Sequence, residues 1–205
     1  MGLSTRTRGR ARSPVDMPVP VKIVIAGGFG VGKTTFVGSV SEITPLTTEA
    51  AMTDMSVGVD DLSAVRGKTT TTVALDFGRR TVDEQLILYL FGTPGQERFW
   101  FMWDDLSRGA VGAVVLIDTR RLAEGFGPID FFEDRQVPFL VAVNQFDDAP
   151  LYSEAALREA LTLSADIPLV LCDAREDDTV VPVLVTLVQH ALDRCYAGKA
   201  SGSGV

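Results

Sequence analysis

Val19-Pro20-Val21-Lys22-Ile23-Val24-Ile25-Ala26, followed directly by Gly27-Gly28-Phe29-Gly30-Val31-Gly32-Lys33-Thr34-Thr35, is the stretch on which the fold turns. Its first half is a short apolar run closed by glycines, the pattern of a strand buried on both faces. Its second half sets glycines, then lysine and threonine, at the mouth of a helix expected over Lys33 to Val40. Glycines let the backbone wrap a phosphate with its N–H groups, and a helix N-terminus adds positive potential at the same point. Strand, glycine loop and helix in this order make a phosphate loop. Gly28, Phe29, Gly30, Val31, Gly32, Lys33, Thr34 and Thr35 are therefore the candidate phosphate-binding residues. Lys33 is expected to bridge β- and γ-phosphate oxygens, and the Thr34 hydroxyl to ligate Mg²⁺. The loop alone leaves ATP and GTP open.

Outward from this point, buried strands are expected at Gln85 to Phe91, Gly112 to Ile117, Val137 to Val143 and Pro168 to Leu171, with Thr72 to Phe77 as a sixth. Helical stretches separate them. One falls within Glu97 to Arg108, a second runs from Glu154 to Leu163 behind a Ser153 cap, and a third covers Thr179 to Tyr196 with Pro182 in its first turn. Strands alternating with helices imply an α/β fold, a mostly parallel six-stranded sheet flanked by helices, with ligands at the carboxyl ends of the strands.

The 205 residues, 46% hydrophobic, suit one domain with tails: a basic disordered stretch over 1–18, a domain over 19–197 and a flexible end over 198–205. The net charge of −8 conceals an asymmetry, since Arg6, Arg8, Arg10 and Arg12 against Asp16 leave the first twenty residues at +3 and the rest at −11. An acidic body repels polynucleotides, so nucleic acid is not an expected partner. No apolar run reaches the ~20 residues of a transmembrane helix, and the Arg-rich start lacks the apolar core of a secretory signal, so a cytoplasmic protein is expected. Arg6 stands where myristoylation at Gly2 would need Ser or Thr. Cys172 and Cys195 have no disulfide or zinc spacing and read as free thiols. His190, the only histidine, lies far from every motif and reads as a packing or surface residue.

Two further motifs address the base. Asn144-Gln145-Phe146-Asp147 closes a buried strand and resembles the guanine-reading Asn-Lys-x-Asp motif of Ras-like GTPases, with Gln145 in place of lysine. A carboxylate at Asp147 accepts two hydrogen bonds from guanine N1–H and the exocyclic amine, where adenine offers an acceptor and a C–H. Asp173-Ala174-Arg175 resembles the family's Ser-Ala-Lys loop, whose alanine N–H meets guanine O6. Thr93-Pro94-Gly95-Gln96-Glu97-Arg98-Phe99 resembles the switch II segment of Rab and Ras proteins. This implies that the Gly95 N–H senses the γ-phosphate and that Gln96 is the catalytic residue orienting the attacking water. Thr72-Val73-Ala74-Leu75-Asp76-Phe77-Gly78 resembles the switch I threonine of Rab proteins and the strand after it, which makes Thr72 the second protein ligand of Mg²⁺. The resemblance covers Val19 to Tyr196. It implies a P-loop NTPase with a Ras-like G domain that binds GTP or GDP with Mg²⁺ and hydrolyses GTP slowly.

Three departures narrow the branch. Gly92 occupies the place of the switch II aspartate that holds a magnesium-bound water, and Asp76 on the neighbouring strand is the candidate substitute. Phe29 replaces a glycine at the crown of the loop, where a ring crowds Gln96 and slows intrinsic hydrolysis. The connection from Ser41 to Lys68 is much longer than in Ras, and it carries Arg66 and Lys68, either solvated charges or an arginine supplied in cis. These features are similar to the prokaryotic Ras-like GTPases of the gliding-polarity and conservon groups. That resemblance implies a Roadblock/LC7-domain protein as partner, beside a sensor histidine kinase. The apolar patch Phe99, Trp100, Phe101, Met102 and Trp103 next to Gln96 divides between core packing and a surface that reports nucleotide state.

Overall fold

The computed structural model describes residues 17–53 and 70–201. The basic stretch before it, Arg66, Lys68 and the final four residues lie outside the described residues, as do the side chains of 47–53, 70–74, 97–98 and 198–201. Seven strands form one sheet in the order β2-β3-β4-β1-β5-β6-β7. They are β1 (Val19–Gly27), β2 (Leu46–Thr53), β3 (Thr70–Thr81), β4 (Leu86–Gly92), β5 (Gly112–Ile117), β6 (Phe139–Asn144) and β7 (Leu169–Cys172). Strands β4, β1, β5, β6 and β7 run parallel, while β3 joins β4 antiparallel and β2 joins β3 antiparallel. All six expected strands are present. The seventh, β2, was not anticipated: its Leu-Thr-Thr-Glu-Ala-Ala-Met-Thr sequence is too polar to read as a buried strand, and it forms the antiparallel edge that otherwise parallel sheets often carry.

Helices cover both faces because each parallel crossover must return over the sheet. They are α1 (Lys33–Val40), α2 (Trp103–Ser107), α3 (Phe126–Asp134), α4 (Glu154–Ala160) and α5 (Asp177–Ser201). In β1 successive side chains alternate between two cores. Ile23 and Ile25 pack with Phe36, Leu90, Leu116, Leu184 and Leu187 on one face. Val24 and Ala26 pack with Trp103, Ile129, Phe132 and Phe139 on the other. Ser153 caps α4 as its sequence predicts, accepting a hydrogen bond from the Ala156 N–H at 3.2 Å. The segment Glu97–Met102 is 3₁₀ rather than α, and α2 occupies only the five residues that follow. Among the described residues no helix is long and apolar enough to cross a membrane.

Candidate nucleotide site

The phosphate loop leaves β1 at its carboxyl end and enters α1 through three positive-φ glycines, Gly27 at 137°, Gly30 at 70° and Gly32 at 102°. A side chain at Gly32 would meet the Asn144 carboxamide at 2.6 Å, so both the backbone angle and the space demand glycine. The N-cap of α1 is Gly32, which makes no side-chain cap hydrogen bond, so no capping side chain competes with an anion for the helix N-terminus. Lys33 is buried, and its ammonium donates to the carbonyls of Gly27 at 3.0 Å and Gly28 at 2.6 Å. Burial pulls its pKa down to about 8, against the opposing pull of the Asp76 and Glu124 carboxylates.

Asn144, also buried, ties the two halves of the site together. Its amide donates to the Val31 carbonyl at 2.9 Å, and its carbonyl accepts from the Ala174 N–H at 2.9 Å. The expected phosphate and base loops are thus held by one side chain from the end of β6. Asp147 lies exposed beyond it, and the Arg175 guanidinium forks onto its carboxylate, Nη2 at 2.9 Å and Nη1 at 3.4 Å. The same guanidinium also donates to Asp173 at 2.6 Å. These hydrogen bonds hold the Asp147 and Asp173 carboxyls below the usual range. Gln145 is exposed, its N–H bonded to the Cys172 carbonyl at 2.8 Å.

Thr93 leaves β4 with its N–H bonded to the Ile25 carbonyl at 2.9 Å, and this brings Gly95 against the phosphate loop. A Cβ at Gly95 would sit 2.7 Å from the Lys33 ammonium and 2.9 Å from the Gly28 carbonyl oxygen and from the Phe29 Cα. The exposed Phe29 ring and Gln96 line a cavity of about 420 Å³ together with Trp100, Glu124 and Pro128. The fully buried Trp103 donates its indole N–H to the Pro94 carbonyl at 3.2 Å, which anchors this segment to the core.

The Thr34 hydroxyl, in the first turn of α1, donates to the Asp76 carboxylate at 2.6 Å. Hydroxyl and carboxylate oxygens are the hard donors Mg²⁺ prefers, so the residues present fit that ion. Thr72 lies in β3 with its backbone opposite Ala51, and its side chain is outside the described residues.

Sequence reading missed a cluster of four charged residues, Asp118, Arg120, Arg121 and Glu124, of which Arg121 and Glu124 stand beside the loop. Asp118 follows β5 and is 4% exposed; burial raises its pKa, but hydrogen bonds from Arg120 and Arg121 outweigh this and hold it ionised. Arg121 in turn pairs with Glu124 at 3.2 Å, whose carboxylate stands over Gly28. The available signal was position alone: Asp118 ends an apolar strand at the edge where ligands gather.

The geometry is that of a nucleotide-binding P-loop domain, and comparison with known proteins agrees. A solved structure of the cytosolic domain of the T. maritima FeoB iron transporter, in apo form, superposes with a TM-score of 0.59 at 16% identity, covering 84% of this chain and 64% of that one, which shows the fold. The chain is 30% identical over 129 residues to the uncharacterised protein MJ1339 of Methanocaldococcus jannaschii, 62% of this chain and 71% of that protein. It is 27% identical over 143 residues to the Ras-related protein Sec4 of Saccharomyces cerevisiae, 65% of this chain and 66% of that protein. It is 25% identical over 186 residues to the GTP-binding protein yptV5 of Volvox carteri, 84% of this chain and 82% of that protein. With residues 25–194 matching its model, the chain belongs to the family described as conserved hypothetical ATP binding proteins, and its relatives include Ras-type small GTPases.

Proposed function

We propose that this protein is a guanine-nucleotide switch that holds GTP or GDP with Mg²⁺ and hydrolyses GTP slowly. The observation that carries the reading is the Asn144 bridge, which ties the Ala174 backbone N–H to the phosphate loop, with Asp147 following three residues after Asn144. A phosphate loop alone does not choose a purine, whereas a carboxylate beside it favours the two donors on the guanine edge. Discrimination built on such bonds reaches ~10⁴.

Thr34, with Asp76 behind it and Thr72 from β3, would hold the Mg²⁺, which when bound neutralises charge on the β- and γ-phosphate oxygens. Lys33 leaves the Gly27 and Gly28 carbonyls to take phosphate oxygens in their place. The Gly95 N–H, already at the loop, meets the γ-phosphate, and Gln96 orients the attacking water. The Phe29 ring lines the same cavity as Gln96, where it would restrict the approach of an attacking water, and this supports slow intrinsic turnover. Loss of the γ-phosphate releases Gly95, and the change is read on the adjoining aromatic face where Phe101 is exposed. A Roadblock/LC7-domain protein, in a complex with a sensor histidine kinase, is the partner that the sequence resemblance favours for that face.

A second reading, ATP binding, draws on the family description and on the Arg175 fork, since a capped Asp147 presents N–H donors to the base instead of oxygens. Asp147→Asn separates the two. An amide at this position donates to the C2 carbonyl of xanthine, so the variant is expected to lose GDP and gain xanthosine diphosphate by about 10² or more. Unchanged base preference in the variant would remove Asp147 from the site and favour the adenine reading.

A further inference from the structure

Gly92 ends β4 at the carboxyl edge of the sheet, where the Ras-like resemblance would place an aspartate, and it carries no side chain. The adjoining strand supplies what is missing. Because β3 runs antiparallel to β4, Asp76 in its middle is the register partner of Gly92 at the carboxyl end of β4. A Cβ added at Gly92 would lie 3.0 Å from the Asp76 Cβ and 3.1 Å from its Oδ2. The two positions compete for one volume, and a side chain at Gly92 would force the Asp76 side chain to give way by a few tenths of an ångström. In this chain the volume is filled from β3, and the Asp76 carboxylate, 9% exposed, reaches the Thr34 hydroxyl at 2.6 Å across 42 residues of sequence.

From this geometry we infer that Asp76 is the positioning residue of the Mg²⁺ site, its carboxylate transferred from β4 to β3. The inference rests on the reading of the phosphate loop as the nucleotide site, but not on which purine is bound. A threonine hydroxyl has one proton and two lone pairs. With its proton held by Asp76, Thr34 must turn its lone pairs outward, toward the mouth of the loop where the cation would sit. A hydroxyl free to rotate presents that geometry only part of the time. Outer partners of this kind typically change metal affinity by about 10- to 100-fold when removed.

The test follows release of a fluorescent GDP analogue from the full chain across a Mg²⁺ titration, with EDTA as the metal-free reference. In the wild type Mg²⁺ is expected to slow release. With each rate taken relative to the same protein in EDTA, Asp76→Asn is expected to need about 10- to 100-fold more Mg²⁺ than the wild type for half-maximal slowing. The double variant Asp76→Ala/Gly92→Asp, which returns the carboxylate to β4 in the volume vacated on β3, is expected to move that midpoint back toward the wild type. An unchanged midpoint in Asp76→Asn overturns the inference. So does a faster release in EDTA that accounts for the whole effect, because that marks a residue needed only for folding. Should the wild type hold the adenosine analogue instead, the guanine reading fails while the same titration with that analogue still decides the role of Asp76. Retention of neither nucleotide overturns both.

Discussion

Lys33 shows how a binding residue burdens the empty protein. Its pKa falls to about 8 against an ordinary value of 10.5 because burial disfavours the ammonium. Between these two pH values the unfolded chain binds more protons than the folded one, so the stability of the nucleotide-free protein rises with pH across that window. The rise amounts to at most about 3 kcal/mol, and urea denaturation in EDTA at pH 7.5 and pH 10 measures it against Lys33→Met, in which this component is expected to vanish. Polyphosphate restores the preference for the charged form. Nucleotide binding at about pH 8.5 should therefore take up a fraction of a proton, which calorimetry in two buffers of different ionisation enthalpy detects. Arg175 burdens the other end of the site. Its guanidinium offers Asp147 the same paired N–H donors that guanine would, so guanine must displace it. Arg175→Ala is expected to tighten GDP binding by about two- to five-fold at low salt, the range of an exposed pair, with the difference shrinking as salt screens the fork. Weaker binding in the variant would instead place Arg175 in contact with the nucleotide.

Among the elements, the segment between β4 and α2 touches both the phosphate loop and the core. Gly95 lies on the phosphate loop, and eight residues later Trp103 fills the core while its indole N–H holds the Pro94 carbonyl. Trp103→Phe keeps most of the apolar volume and removes that bond. It should cost about 1–3 kcal/mol and accelerate amide exchange at Gly95 and Gln96 more than in β1 or β5. Equal acceleration everywhere would show that Trp103 stabilises the whole fold without anchoring the segment. The elements also mark where sequence stops being informative. α1 and β5 occupy the residues expected of them because a glycine loop and a continuous Val-Val-Leu-Ile run admit one reading. β2 was invisible because edge strands need not be apolar, and its pairing with β3 is a long-range fact. The stretch from Thr119 to Asp134 was equally silent: Gly125, Gly127 and Pro128 interrupt any helical period, yet a 3₁₀ turn and α3 form there once Ile129 and Phe132 find the sheet. In the site, Asn144 was legible as a motif residue, but its bridge between two loops was not. The Arg175 fork and the Thr34 to Asp76 bond both join residues far apart in sequence, and periodicity cannot reach them.

At the scale of the molecule, a sheet buried on both faces brings the carboxyl ends of β1, β4, β5 and β6 to one edge. Every element of the site hangs from that edge: the phosphate loop from β1, Gly95 from β4, Asp118 from β5 and Asn144 from β6. A site assembled from four strands binds its ligand only when the whole sheet is formed, so nucleotide and Mg²⁺ should raise the unfolding temperature of the whole domain. The account turns on the purine that this edge selects. Isothermal titration of the nucleotide-free protein with GDP and with ADP, each in Mg²⁺, is the most direct measurement. The account predicts that GDP binds at least about a hundredfold more tightly than ADP; ADP bound as tightly as GDP, or neither bound, would contradict it.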